Sequence, residues 1–178
     1  GREIMLSSVL SGIAHNLQAG LPAIAIIFLL ASAYTDLKDR IIPNRFSLSL
    51  FLLFPVYTMT GATSVDFLQH FVWGGASLLA LIPLYACGKM GGGDVKLIAA
   101  VATWCGPVSG VEFFILMALT GGVMALIILS PVLKMIIAWG QTSLGLPTVS
   151  LISDTPTLPY GVAIAVGGIC AIYQAYWG

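Results

Sequence analysis

Charge is what this sequence has least of. Seven basic and seven acidic residues in 178 make it 8% charged, with a net charge of zero, where a soluble globular domain carries about 25%. A chain this poor in charge has no electrostatic footprint for nucleic acid or for an acidic soluble partner. Cysteine is scarce too. Cys87, Cys105 and Cys170 are far apart and odd in number, with no Cys-x-x-Cys and no Cys/His cluster. Neither a disulfide framework nor a zinc site is expected. No Ser/His/Asp or Cys/His arrangement stands out, and no phosphate-binding loop. No metal and no other cofactor is expected. Residues 2–19 hold one Arg followed by Glu3 and lack a clear small-residue cleavage site, so they do not read as a cleavable signal peptide.

Apolar residues fill the space. The chain is 58% hydrophobic with a mean hydropathy of +1.01. It reads as an all-α, polytopic integral membrane protein with six transmembrane helices in one compact domain. Spans are expected over residues 21–35, 46–60, 67–87, 94–105, 112–133 and 159–177. Ahead of them, Leu6, Val9, Leu10, Ile13 and Leu17 share one helical face. Residues 1–19 therefore suit an amphipathic or interfacial segment, or an upstream extension of the first span, with residues 20–178 as the six-helix domain. Pro83 is a tolerable kink in the third span. Gly106-Pro107 ends or interrupts the fourth. Residues 141–158 are the only long polar stretch and are expected to be a loop. Tyr173, Tyr176 and Trp177 suit an interfacial aromatic anchor.

The few charges are not scattered evenly. With six spans, Lys38, Arg40, Arg45, Lys89, Lys96 and Lys134 all fall on one side, and only Arg2 among basic residues falls on the other, beside Glu3, Asp66 and Glu112. The positive-inside rule makes the first side cytoplasmic and puts both termini across the membrane. Asp36 and Asp94 then lie at the cytoplasmic ends of the first and fourth spans. An ionisable residue next to an apolar span marks a candidate functional site.

Two carboxylates at one depth on different helices can work as an acid–base pair. Held about 3 Å apart they cannot both ionise, so they share a proton. The ionised member takes a proton from water, and the protonated member donates to the carbonyl oxygen of a peptide bond. Asp39 is three residues beyond Asp36, on roughly the same helical face. Position favours Asp36, nearer the apolar span, and leaves Asp39 as the alternative. Gly91, Gly92 and Gly93, just before Asp94, let another backbone approach closely and permit positive φ. A glycine-rich, strand-like entry to the helix would pair with an extended peptide by main-chain hydrogen bonds. Lys96 either holds the charge balance of the site or snorkels to the lipid headgroups. Asp66, His70 and Glu112 lie on the opposite face, and Asp154 reads as a solvated loop charge.

These residues resemble a known family. Gly91-Gly92-Gly93-Asp94-Val95-Lys96-Leu97 is similar to the GxGDxKL signature of the prepilin peptidases, the GxGD class of intramembrane aspartic proteases. Asp36-Leu37-Lys38-Asp39-Arg40-Ile41-Ile42-Pro43-Asn44 resembles their other element, an Asp seven residues before a Pro-Asn. The resemblance selects Asp36 over Asp39 and implies Asp36 and Asp94 as the catalytic pair, with no metal and no covalent intermediate. It implies removal of the leader from type IV pilin-like precursors (prepilins or pseudopilins), after a glycine, at the cytoplasmic face of the bacterial inner membrane. Larger members carry a methyltransferase domain with paired Cys-x-x-Cys motifs. This chain looks like the short, peptidase-only branch of the tight-adherence (Flp, type IVb) kind, with archaeal preflagellin peptidases next. N-methylation of the product thus lacks a basis here. The signature's variable position is Gly92, and three consecutive glycines are expected to make the loop more mobile. Leu158-Pro159-Tyr160-Gly161 resembles a proline-containing motif that lines the site in other GxGD proteases, which makes Pro159 a further candidate beside the three glycines and Lys96 for positioning substrate. The rival reading is a small proton- or cation-coupled transporter with Asp36 and Asp94 as its relay.

Overall fold

The computed structural model describes residues 2–60, 65–130 and 158–178, together with residues 132, 135, 139, 140 and 143. Among them every regular element is helical: α1 (Arg2–Asp39), α2 (Asn44–Met59), α3 (Phe67–Ala86), α4 (Gly92–Leu129) and α5 (Tyr160–Trp177). Four of these helices, α1, α3, α4 and α5, are long and apolar enough to cross a membrane. Lys134 and Asp154 lie outside the described residues, as does most of the polar stretch expected to be a loop.

The first helix is longer than one crossing requires. At 38 residues it runs about 57 Å, against a hydrocarbon core of about 30 Å. Residues 2–19, expected to be an amphipathic or interfacial segment or an upstream extension, are helical and continuous with the rest of α1. Its packing starts only near its middle. Leu21, Ala25 and Leu29 are buried, whereas Leu6, Val9, Leu10 and Ile13 are exposed. Gln18 marks the junction by donating to the Thr60 carbonyl at 3.1 Å.

The fourth and fifth expected spans form one helical element broken at a single residue. Gly106 has φ 63° and ψ −169°, a conformation essentially restricted to glycine. The residues that α5 touches show what the break does. Along α5, Gly161 meets Asp36, a Cβ on Gly168 would meet Val101, and the Tyr176 hydroxyl donates to Trp104 O at 2.8 Å. Val101 and Trp104, on the first half of α4, advance with the chain, while Asp36, on α1, marks the end where α5 starts. On the second half the partners recede: Ala163 lies by Gly121, Gly167 by Met117 and Phe113, and the Gln174 side-chain amide by the Glu112 carboxylate. The two halves of α4 thus run in opposite directions along α5. Residues 92–105 and 107–129 form a helical hairpin whose turn is Gly106-Pro107.

Aromatic packing secures that turn. Trp104 is fully buried and donates from Nε1 to the Leu50 carbonyl at 2.8 Å. Its ring centroid lies 5.5 Å from Phe54, 5.6 Å from Tyr57 and 5.7 Å from Tyr176. A helix end leaves its last carbonyls without partners. Here His70 Nδ1 donates to Thr103 O at 2.9 Å, and Tyr176 serves Trp104 O. His70 and Glu112 therefore belong to the end of the molecule opposite the two aspartates. So does Asp66, which caps α3 by accepting from Gln69 N.

Candidate functional site

The C-terminal end of α1 and the N-terminal ends of α4 and α5 meet at one place. Asp36 is in the last turn of α1 and only 7% exposed. The helix ends just beyond it, because Arg40 takes φ 55° and its N–H still bonds to Asp36 O at 3.1 Å. Such a left-handed closing residue is usually glycine. Pro43 then enforces an extended backbone before α2, with φ −62° and ψ 133°. Asp39 is exposed.

Each aspartate is fastened to the start of a helix. The Gly161 N–H, near the start of α5, donates to Asp36 Oδ2 at 2.7 Å. The Gly91 N–H donates to Asp94 Oδ2 at 3.2 Å, so Asp94, in the first turn of α4, reaches back to that helix's own cap. The first N–H groups of a helix have no partner inside it, and the helix dipole favours a carboxylate there. Both side chains are thereby oriented through Oδ2. Asp36 and Asp94 line two adjoining cavities together, of about 410 and 200 Å³. They are close enough for their charges to interact. Arg40 lines both cavities and acts electrostatically on Asp36.

The glycines allow close approach. Gly91 is extended, at φ −70° and ψ 147°, and Gly92 and Gly93 already belong to the first turn of α4. None of the three has positive φ; Gly88 and Gly106 do. The strand-like entry therefore shrinks to Gly91 alone. A Cβ on Gly91 would lie 2.7 Å from Asp94 Oδ2, and one on Gly93 would lie 2.9 Å from the Ile42 carbonyl. Gly92 faces the Tyr85 ring, where a Cβ would sit at 3.2 Å.

The remaining candidates divide. Leu158 and Tyr160 line the larger cavity, and Pro159, buried, is the N-cap of α5. Lys96 is exposed, donates to Asn44 Oδ1 at 3.2 Å, and lines a separate groove between α2, α3 and α4. Sequence reasoning took Arg40 and Lys89 for orientation signals, yet both line the larger cavity with Met90. The main-chain N–H of Gly161 was not foreseen as a partner of Asp36. The available signal was a Pro–Gly helix start in an otherwise apolar run. Among the described residues no cluster of three His, Cys, Asp or Glu side chains is placed to hold a metal.

An all-helical chain with four helices long and apolar enough to cross a membrane, and two aspartates lining shared cavities at one end, has the make-up of a membrane protein. A model of the type IV leader peptidase family matches residues 23–126, more than half of the chain, and the chain belongs to that family. It is thus a peptidase of a family that acts on prepilin-like substrates. The matched range takes in Asp36 and Asp94 and ends before Gly161. No curated protein and no solved structure matches the chain. Family membership gives no support to the transporter reading.

Proposed function

We propose that the chain is an aspartic leader peptidase in which Asp36 and Asp94 together activate water against a peptide bond. The observation that carries this reading is the shared cavity. Two carboxylates from different helices face it, each held by a helix-start N–H through Oδ2. In this reading their interacting like charges resist joint ionisation, and one proton is held between the pair. The ionised partner accepts a proton from water as the oxygen attacks the scissile carbonyl. The protonated partner gives its proton to the carbonyl oxygen, and a tetrahedral intermediate forms. Its collapse breaks the C–N bond, with a proton passing to the leaving amine, and the pair returns to its starting state.

The substrate in this reading is a type IV pilin-like precursor, cleaved after the glycine that ends its leader. The site faces the cytoplasm across a bacterial inner membrane that the chain crosses six times, with both termini on the far side. Charge supports that orientation: Lys38, Arg40, Arg45, Lys89 and Lys96 all belong to the aspartate end. The hairpin at Gly106 supports the crossing number, because it supplies the reversal that turns four long helices and one short one into six passes. Gly91, Gly93 and Pro159 position the aspartates and the start of α5, and so act on the substrate through them.

The test is cleavage of a purified prepilin by the detergent-solubilised protein. Asp36→Asn and Asp94→Asn should each lower the rate by about 10²- to 10⁴-fold, the range for loss of a general acid or base. Asp39→Asn, on an exposed residue, should stay within about twofold. Wild-type rates in both of the first two variants would refute the assignment.

A further inference from the structure

The groove that holds Lys96 is separate from the carboxylate cavities. Its volume is about 520 Å³, within the usual range for small-molecule sites. Gly74, Gly75, Ala99 and Ala100 form a floor with almost no side chain, and Leu48 and Phe51 form part of an apolar wall. Polarity is confined to few places. Lys96 and Asn44, joined by their 3.2 Å hydrogen bond, stand at the end nearest Asp94. Ser47, one turn along from Asn44, also lines the groove; it is 4% exposed and its hydroxyl has no partner.

We infer that this groove binds an anionic phospholipid, with one acyl chain lying on the Gly74–Ala100 floor and the headgroup phosphate on Lys96. Three observations select this occupant. The site is amphiphilic in the sense a lipid is, with one cationic end and a long apolar body. That cationic end lies near the start of α4, where the span meets the headgroup region, and its charge is opposite to that of the phosphate. The floor and wall of the groove give a hydrocarbon chain apolar contact along its length. A single extended hydrocarbon chain fits it. The Ser47 hydroxyl and the Asn44 amide supply hydrogen-bonding groups beside the ammonium for the phosphate and ester oxygens.

The groove shares no lining residue with the aspartate cavities. The lipid therefore braces α4 against α2 and takes no part in the chemistry.

Native mass spectrometry of the purified full chain with phosphatidylglycerol and phosphatidylcholine tests the inference. Wild type should retain phosphatidylglycerol in preference to phosphatidylcholine. Lys96→Gln should lower that preference by roughly fivefold, the effect of one lysine beside an anionic lipid. Gly75→Leu fills the groove without disturbing the fold, because a Cβ at Gly75 meets nothing within 4 Å; it should displace both lipids. Equal retention of the two lipids by wild type would overturn the inference, as would unchanged retention in Gly75→Leu. If Gly75→Leu keeps its lipid yet raises KM for a prepilin, the groove belongs to the substrate and the lipid assignment fails. The binding readout is independent of cleavage, so its failure leaves the peptidase reading untouched.

Discussion

Gly161 is the residue whose replacement is most informative. Its N–H holds Asp36 and its missing side chain makes room for that carboxylate. A Cβ there would lie 2.8 Å from Asp36 Cβ and 2.9 Å from Oδ2. Gly161→Ala must therefore move Asp36, and a displacement of about 1 Å at a reacting group costs on the order of 10²-fold in rate. A prepilin cleavage assay on the folded variant checks this; activity within twofold of wild type would remove Gly161 from the machinery. The shared proton gives a second prediction at this scale. A plot of kcat/KM against pH should be bell-shaped. It should rise as the basic aspartate loses its proton and fall as the acidic one loses its own. A flat profile through the acid range would mean that the two do not act as a pair. Asp36 and Asp94 stood out in the sequence because a charge beside an apolar run has few bland explanations, and the structure brings the two to one cavity. The place of Arg40 in the cavity was not legible, since nothing in composition separates a cation that orients the chain from one that also lines a cavity. Lys96 came out the same way, two residues from Asp94 yet directed toward Asn44 and the groove.

At the scale of elements, the break in α4 is the decisive local event. Gly106 has a backbone conformation that other residues adopt only at a cost of about 1–3 kcal/mol, and the His70 ring occupies the space a side chain would need. Gly106→Ala should lower the Tm of the purified protein, by about 2–4 °C for each kcal/mol in a chain of this size. Gly122→Ala is the comparison, with nothing within 4 Å of its added Cβ, and it should leave Tm unchanged or slightly raised. An equal Tm in both variants would show that the turn is not strained in the way described. Gly106-Pro107 was legible as an interruption, because both residues disrupt a helix. That the chain reverses there was not. Direction depends on Trp104, Tyr176 and His70, which come together only through packing. Likewise the periodicity of residues 4–19 fitted an interfacial helix as well as an extension, since neighbours decide between them.

For the whole molecule, the native cysteines report orientation. Cys87 is exposed at the C-terminal end of α3, close to the aspartates, whereas Cys105 is buried and Cys170 is exposed midway along α5, on an apolar span. A charged, membrane-impermeant maleimide should therefore label Cys87 in inverted membrane vesicles and leave it unlabelled in intact cells from which any outer membrane has been removed. Labelling from the outside would reverse the proposed topology. The class of protein and the side on which charges gather were readable from the sequence, because both follow from transfer energies that need no contacts. The groove between α2, α3 and α4 was not readable, because its floor of Gly74, Gly75, Ala99 and Ala100 has meaning only once three helices are assembled.

The bond between Gly161 and Asp36 spans 125 positions of the chain. Translation makes Asp36 early and Asp94 midway, but the N–H that orients Asp36 emerges only with the last helix. A nascent chain held in the insertion machinery would already contain both carboxylates, with one of them unfastened. Proteolytic competence would then wait for α5. The newborn enzyme would be harmless to its neighbours in the membrane until Gly161 had joined the fold.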